Sequence, residues 1–145
     1  MSGSSNEKIV IPRNFKLLAE LEDAEHGKTD MSVSMGLQDP SDILLKDWQC
    51  TILGPPNTGV ENRIISLIVQ CDEKYPQAPP SVTFVHKVAL PFVDKKGKVH
   101  AKWLTTKWDS ICTNKRTIEH ILLSIRSEFT AHKRDPQPPE GSMYC

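Results

Sequence analysis

Between Ile118 and Phe129 the chain sets Ile118, Ile121, Leu122, Ile125 and Phe129 at the spacing of a single helix face, with Glu119, Arg126 and Glu128 off it. So continuous an apolar stripe has to be covered by a second apolar layer, and the sequence upstream supplies one. Met31, Val33, Met35 and Leu37 alternate with Ser32, Ser34 and Gly36, the period-two pattern of a half-buried strand. Two aliphatic stretches, Ile43 to Leu53 and Arg63 to Cys71, flank Gly54-Pro55-Pro56-Asn57-Thr58-Gly59, a turn-forming run, and read as a hairpin. Tyr75-Pro76-Gln77-Ala78-Pro79-Pro80 excludes a helix interior and a central strand, and Ser81 to Val85 follows as a fourth short strand.

A first helix is expected from Arg13 to Glu22, where Phe15, Leu18 and Leu21, with Leu17, recur at helical spacing behind a Pro12 suited to a first turn. Lys102 to Asn114 shows no pattern that places it and is expected to be irregular. Beyond His132, Pro136, Pro138 and Pro139 oppose a further packed helix. The order of helix, four-stranded antiparallel meander, irregular stretch and helix describes an α+β architecture. With 145 residues the chain fits one domain, expected over residues 10–145 behind a flexible polar stretch at 1–9.

Composition removes several function classes. Eighteen lysines and arginines balance eighteen aspartates and glutamates, so no overall positive field gathers nucleic acid or anionic lipid, and neither is expected as a partner. The opening MSGSSNEK lacks the apolar centre of a secretory signal, and no run approaches the roughly 18 apolar residues of a membrane span, so cytoplasm and nucleus are the expected location. Cys50, Cys71, Cys112 and Cys145 are widely spaced and expected to be free thiols. No ligand spacing suggests a metal site, and no cofactor is expected. Cys112 with His120 or His132 as base matches no cysteine-hydrolase order, and Asp94-Lys95-Lys96-Gly97-Lys98 reads as a solvated turn rather than a phosphate loop.

The string from Phe84 to His100, F-V-H-K-V-A-L-P-F-V-D-K-K-G-K-V-H, resembles the active-site segment of ubiquitin-conjugating enzymes, and Tyr75-Pro76 with Pro79-Pro80 resembles their proline turn. Active members carry His-Pro-Asn, then a glycine, then the cysteine that holds ubiquitin as a thioester. At the matching positions this chain has Leu90-Pro91-Phe92, Gly97 and His100. Only a thiolate exchanges thioesters readily at neutral pH, and Phe92 has no donor with which to serve as the asparagine amide does. Val10 to Phe15, Leu53 to Pro56, Glu61 to Ile64 and Pro136 to Gly141 narrow the resemblance to the ubiquitin-conjugating enzyme variants. Those variants pair with an active conjugating enzyme to build polyubiquitin through the ubiquitin lysine at position sixty-three.

The resemblance implies a non-catalytic partner subunit of the ubiquitin-conjugating fold, without the further C-terminal helices of longer relatives, which binds two proteins. An active conjugating enzyme would be met by Val10, Arg13, Asn14 and Phe15, the phenylalanine filling an apolar pocket, a burial worth roughly 1.5–3 kcal/mol. Acceptor ubiquitin would be held noncovalently by Ser34, Thr51 and Ile64. Without the resemblance the same residues have plainer readings. Phe15 would pack with Leu18 on its own sheet, Ser34 and Thr51 would be a solvated face, and Ile64 would be core. A freestanding module of the same fold that binds peptide and ubiquitin in protein sorting remains open, as does a degenerate enzyme using Cys112.

Overall fold

The computed structural model describes residues 12–144 and shows α1 (Arg13–Glu25), β1 (Val33–Leu37), β2 (Asp47–Leu53), β3 (Ile64–Gln70), β4 (Ser81–Phe84), α2 (Ala101–Ser110) and α3 (Ile118–Ala131). The four strands form one antiparallel meander in the order β1-β2-β3-β4. Alternation sends Val33 and Met35, then Trp48, Cys50 and Ile52, then Ile65, Leu67 and Val69, then Val82 and Phe84 to the inner face. There α3 buries all five residues of its stripe, and its N-terminus is closed by Thr117, whose Oγ1 accepts the His120 amide at 3.1 Å. The expected α+β class and sheet order are therefore present.

Three boundaries or assignments differ from the sequence reading. The first correction is Lys102 to Asn114, which is not irregular: α2 occupies Ala101–Ser110, burying Leu104 and Trp108 one turn apart, and the Trp108 indole donates to the Pro76 carbonyl at 2.8 Å. The second strand begins at Asp47 rather than Ile43. The Asp42 carboxylate accepts the amides of Leu44, Lys46 and Asp47 at 3.1, 2.9 and 3.1 Å and wraps this segment into a turn, with Leu45 left-handed at φ 53°. The third difference is at the start of β1, which begins at Val33 and leaves Met31 in the preceding turn, 98% exposed. After α3 no further helix follows among the described residues, yet the chain does not leave the domain. The Gln137 amide exchanges hydrogen bonds with the Ala89 backbone at 2.8 and 3.1 Å, Arg63 Nη1 donates to Pro138 O at 2.6 Å, and the Tyr144 amide donates to Val85 O at 3.0 Å.

Two glycines are required by close approach. A Cβ on Gly54 would stand 1.7 Å from the Val60 carbonyl oxygen, and Gly97, at φ 90°, would place one 2.7 Å from the Phe84 oxygen. Both close loops whose ends carry functional candidates, the β2–β3 turn before Ile64 and the turn before His100.

Candidate functional site

The segment that resembles an active site is packed without a nucleophile. Phe92 and Leu90 are buried and Pro91 is exposed. The Phe92 ring lies flat on Trp103 of α2, with centroids 4.0 Å apart and planes 8° apart, and the Lys107 ammonium stands 5.7 Å from the Trp103 centroid. His100 is the N-cap of α2. Its amide donates to Phe92 O at 2.8 Å, closing the loop, while its exposed imidazole makes no capping bond. The Asp94 carboxylate is taken up by the amides of Lys96 and Lys98 at 2.8 and 3.0 Å, which hold its pKa below the usual carboxylate range, as a solvated turn would have it.

Among the described residues, the two buried thiols offer no replacement. Cys50 and Cys71 are buried, and burial, seconded by the Glu20 carboxylate, pushes both well above the usual thiol range. Cys112 is exposed past the end of α2, but its suggested bases are engaged elsewhere: His120 Nδ1 meets Thr117 Oγ1 at 2.9 Å, and His132 lies 3.7 Å from Glu128 and 3.3 Å from Asp135. Cys145 lies outside the described residues, as does Val10.

On α1 the apolar residues that the sequence gathers into one stripe divide between two faces. Leu17 is fully buried and Leu21 and Ala24 pack on the core, whereas Phe15 is 66% exposed and Leu18 44% exposed. Phe15 therefore does not pack on its own sheet. The buried face also carries Glu20, which accepts from the Tyr75 hydroxyl and, at 2.8 Å, from the Ile118 amide, joining α1 to the proline turn and to the start of α3. Asn14 is exposed and its Oδ1 accepts from Arg13 at 2.7 Å. Arg13 is turned inward, onto backbone carbonyls of its own domain.

The second set of candidates meets on the outer face of the sheet. Register pairs Ser34 with Thr51 and Thr51 with Ser66, so three hydroxyl side chains cross three strands in one row, and the Ser34 and Thr51 hydroxyls bond to each other. Ile64, 67% exposed, is paired with Leu53 one step along, so it is not core. With exposed Met31 they line a shallow depression of about 240 Å³ over Ser34 and Thr51. Leu53 and Ser66 join the row only through register, which the sequence pattern does not specify, and Met31 reaches it from the turn before β1. A small uncharged hydroxyl pair ringed by apolar side chains suits an apolar patch on a folded protein better than it suits an ion.

The family model described as ubiquitin-conjugating enzyme matches residues 16–143. A ubiquitin-conjugating enzyme, spm2, of Schizosaccharomyces pombe is 47% identical, the match covering 92% of this chain and 97% of that one. The ubiquitin-conjugating enzyme variant MMS2 of Saccharomyces cerevisiae is 43% identical over 92% of this chain and 98% of its own. The ubiquitin-conjugating enzyme E2 variant 1D of Arabidopsis thaliana is 41% identical over 98% of each. Among solved structures, human ubiquitin-conjugating enzyme E2 G1 superposes with a TM-score of 0.70 at 28% identity, covering 83% of this chain and 98% of that chain. The chain belongs to the ubiquitin-conjugating enzyme family, on the branch of its variants.

Proposed function

We propose that this protein forms no thioester itself and acts as the non-catalytic half of a heterodimer with an active conjugating enzyme. It orients an acceptor ubiquitin so that chains grow through the ubiquitin lysine at position sixty-three. The exposure of Phe15 carries this reading: a large ring on the outer face of α1, which its own domain leaves 66% exposed, is what a docking anchor requires. The acceptor would rest on Ser34, Thr51 and Ile64, with its attacking lysine held toward the thioester on the partner. Holding two reactants in one geometry is among the larger effects open to catalysis, and it asks for no reactive group on the holder. The residue at position 100, a histidine beside a Phe92 ring that is stacked and offers no amide, supports the absence of a transfer step here.

Reconstitution tests the reading. Activating enzyme, ATP, ubiquitin and an active conjugating enzyme are incubated with and without this chain, and the linkages formed are read by mass spectrometry. The expected result is position-sixty-three chains only when this chain is present, and no reducible ubiquitin adduct on it. A thiol-sensitive adduct would point to Cys112, and ubiquitin binding without any effect on chain synthesis would favour a freestanding binding module.

A further inference from the structure

The turn of α1 that carries Phe15 has little of its own to keep it helical. Pro12, at the N-cap, has no side-chain acceptor, the first turn holds no acidic residue, and the first helical bond, from the Lys16 amide to Pro12 O, is 3.1 Å long. The amides of Arg13, Asn14 and Phe15 precede that bond. A helix start of this kind frays unless tertiary contacts hold it. The Phe15 ring, mostly in solvent, cannot supply them.

Arg13 can. Its guanidinium donates from Nη1 to Leu44 O at 2.6 Å, from Nη2 to Cys71 O at 2.7 Å and more weakly to Leu45 O at 3.5 Å, and from Nε to Asp72 O at 2.8 Å. These oxygens belong to two separate segments, the turn before β2 and the chain leaving β3, and all three nitrogens of the fork are engaged. The acceptors are neutral: these four backbone carbonyls and, from Nη1 within the turn itself, the Asn14 side-chain oxygen at 2.7 Å. The nearby Asp72 carboxylate is itself occupied by the Lys74 amide at 2.9 Å. The turn before β2 is firmly built. Leu45 is buried in the left-handed region at φ 53°, a conformation that persists only where its surroundings over-determine it, and its carbonyl also receives the Trp48 indole at 2.9 Å.

We infer that Arg13 is a positioning residue for the docking surface: it touches no partner, but pins the first turn of α1 to two loops so that Phe15 is presented already ordered. The inference rests on Phe15 as the anchor and replaces the expectation that Arg13 contacts the conjugating enzyme. A binding element ordered only a fraction of the time binds with its Kd raised by the inverse of that fraction, so a turn ordered one tenth of the time costs about tenfold. The requirement is for arginine and not merely for a positive charge. A rigid fork of five donors reaches carbonyls on two segments at once, and a lysine ammonium does not.

The test titrates the conjugating enzyme with the wild-type chain, Arg13→Lys, Arg13→Ala, Phe15→Ala and the Arg13→Lys/Phe15→Ala double variant, at about 0.05 and 0.5 M salt, conditions that separate screened from unscreened contacts. Amide exchange of Lys16 and Leu17 is followed in each free chain. Arg13→Lys and Arg13→Ala are expected to bind alike, about tenfold more weakly than wild type at both salts, with those amides exchanging faster by a similar factor. The double variant is expected to bind no more weakly than Phe15→Ala alone. Wild-type affinity in Arg13→Lys, a loss that vanishes at high salt, or unchanged exchange would overturn the positioning role and make Arg13 a charge contact. Wild-type affinity in Phe15→Ala would instead overturn the anchor, and the inference with it, while the exchange rates still report whether Arg13 orders the turn.

Discussion

Glu20 is the buried charged side chain among the described residues, and its environment sets a direction for stability with pH. Burial raises its carboxyl above the ordinary value of 4.5, outweighing the opposite pull of the Tyr75 hydroxyl, the Ile118 amide and Lys16. A folded-state pKa above the unfolded one gives stability that is complete below about pH 4.5 and lost as pH rises through the folded value. Glu20→Gln removes that loss, and its amide still offers an acceptor to Ile118 and a donor to Tyr75. Relative to wild type, Glu20→Gln is expected to become steadily more stable to urea from pH 4.5 upward, and a difference flat with pH would show that Glu20 ionises as it does in the unfolded chain. Glu20→Ala leaves a hydroxyl and an amide unpaired, at roughly 1–3 kcal/mol each, and is expected to destabilise at every pH. None of this is legible in the sequence, where Glu20 is one charge on an amphipathic helix; its partners lie 55 and 98 positions away.

Among the elements, α3 and the strands are legible because each writes a single period over enough residues. Strand ends are not, since side chains such as Asp42 decide them through bonds to particular amides. α2 shows how a helix hides: Trp103, Leu104, Lys107 and Trp108 do fall on one face, but over only ten residues, with Thr105 and Thr106 reducing helix propensity at its centre. Its stability comes from tertiary burial. Trp108→Ala, which deletes a fully buried ring and its bond to Pro76, is expected to cost about 3–5 kcal/mol in urea unfolding. Thr105→Ala, at an exposed position, is expected to gain a few tenths of a kcal/mol. If the two changes had similar small effects, α2 would be held by propensity rather than packing. The candidate site divides in the same manner. Phe15, Ser34, Thr51 and Ile64 stand out only through a resemblance, and periodicity alone buries Phe15 with Leu18; the split of α1 into a core face and an outer face appears only once Glu20 is seen to take a core position.

On the scale of the molecule, the two proposed surfaces are carried by different elements, α1 for the conjugating enzyme and the outer faces of β1, β2 and β3 for the acceptor, and this separation predicts two defects with different cures. Phe15→Ala weakens only assembly, so chain synthesis should fall by about 10- to 150-fold at limiting protein, as loss of roughly 1.5–3 kcal/mol of aromatic burial implies, and return when the variant is added in excess. Ile64→Ala, or Ser34→Asp, which sets a charge against the Thr51 hydroxyl, leaves assembly intact. Excess variant should not restore synthesis, but excess ubiquitin should, because the defect lies in KM for the acceptor. With no shared side chains, the two losses should add in the Phe15→Ala/Ile64→Ala double variant. Titrating chain synthesis separately against this protein and against ubiquitin distinguishes them. If excess Phe15→Ala failed to rescue, or if Ile64→Ala weakened binding to the conjugating enzyme, the surfaces would be one, and the division of labour argued from their placement would be wrong.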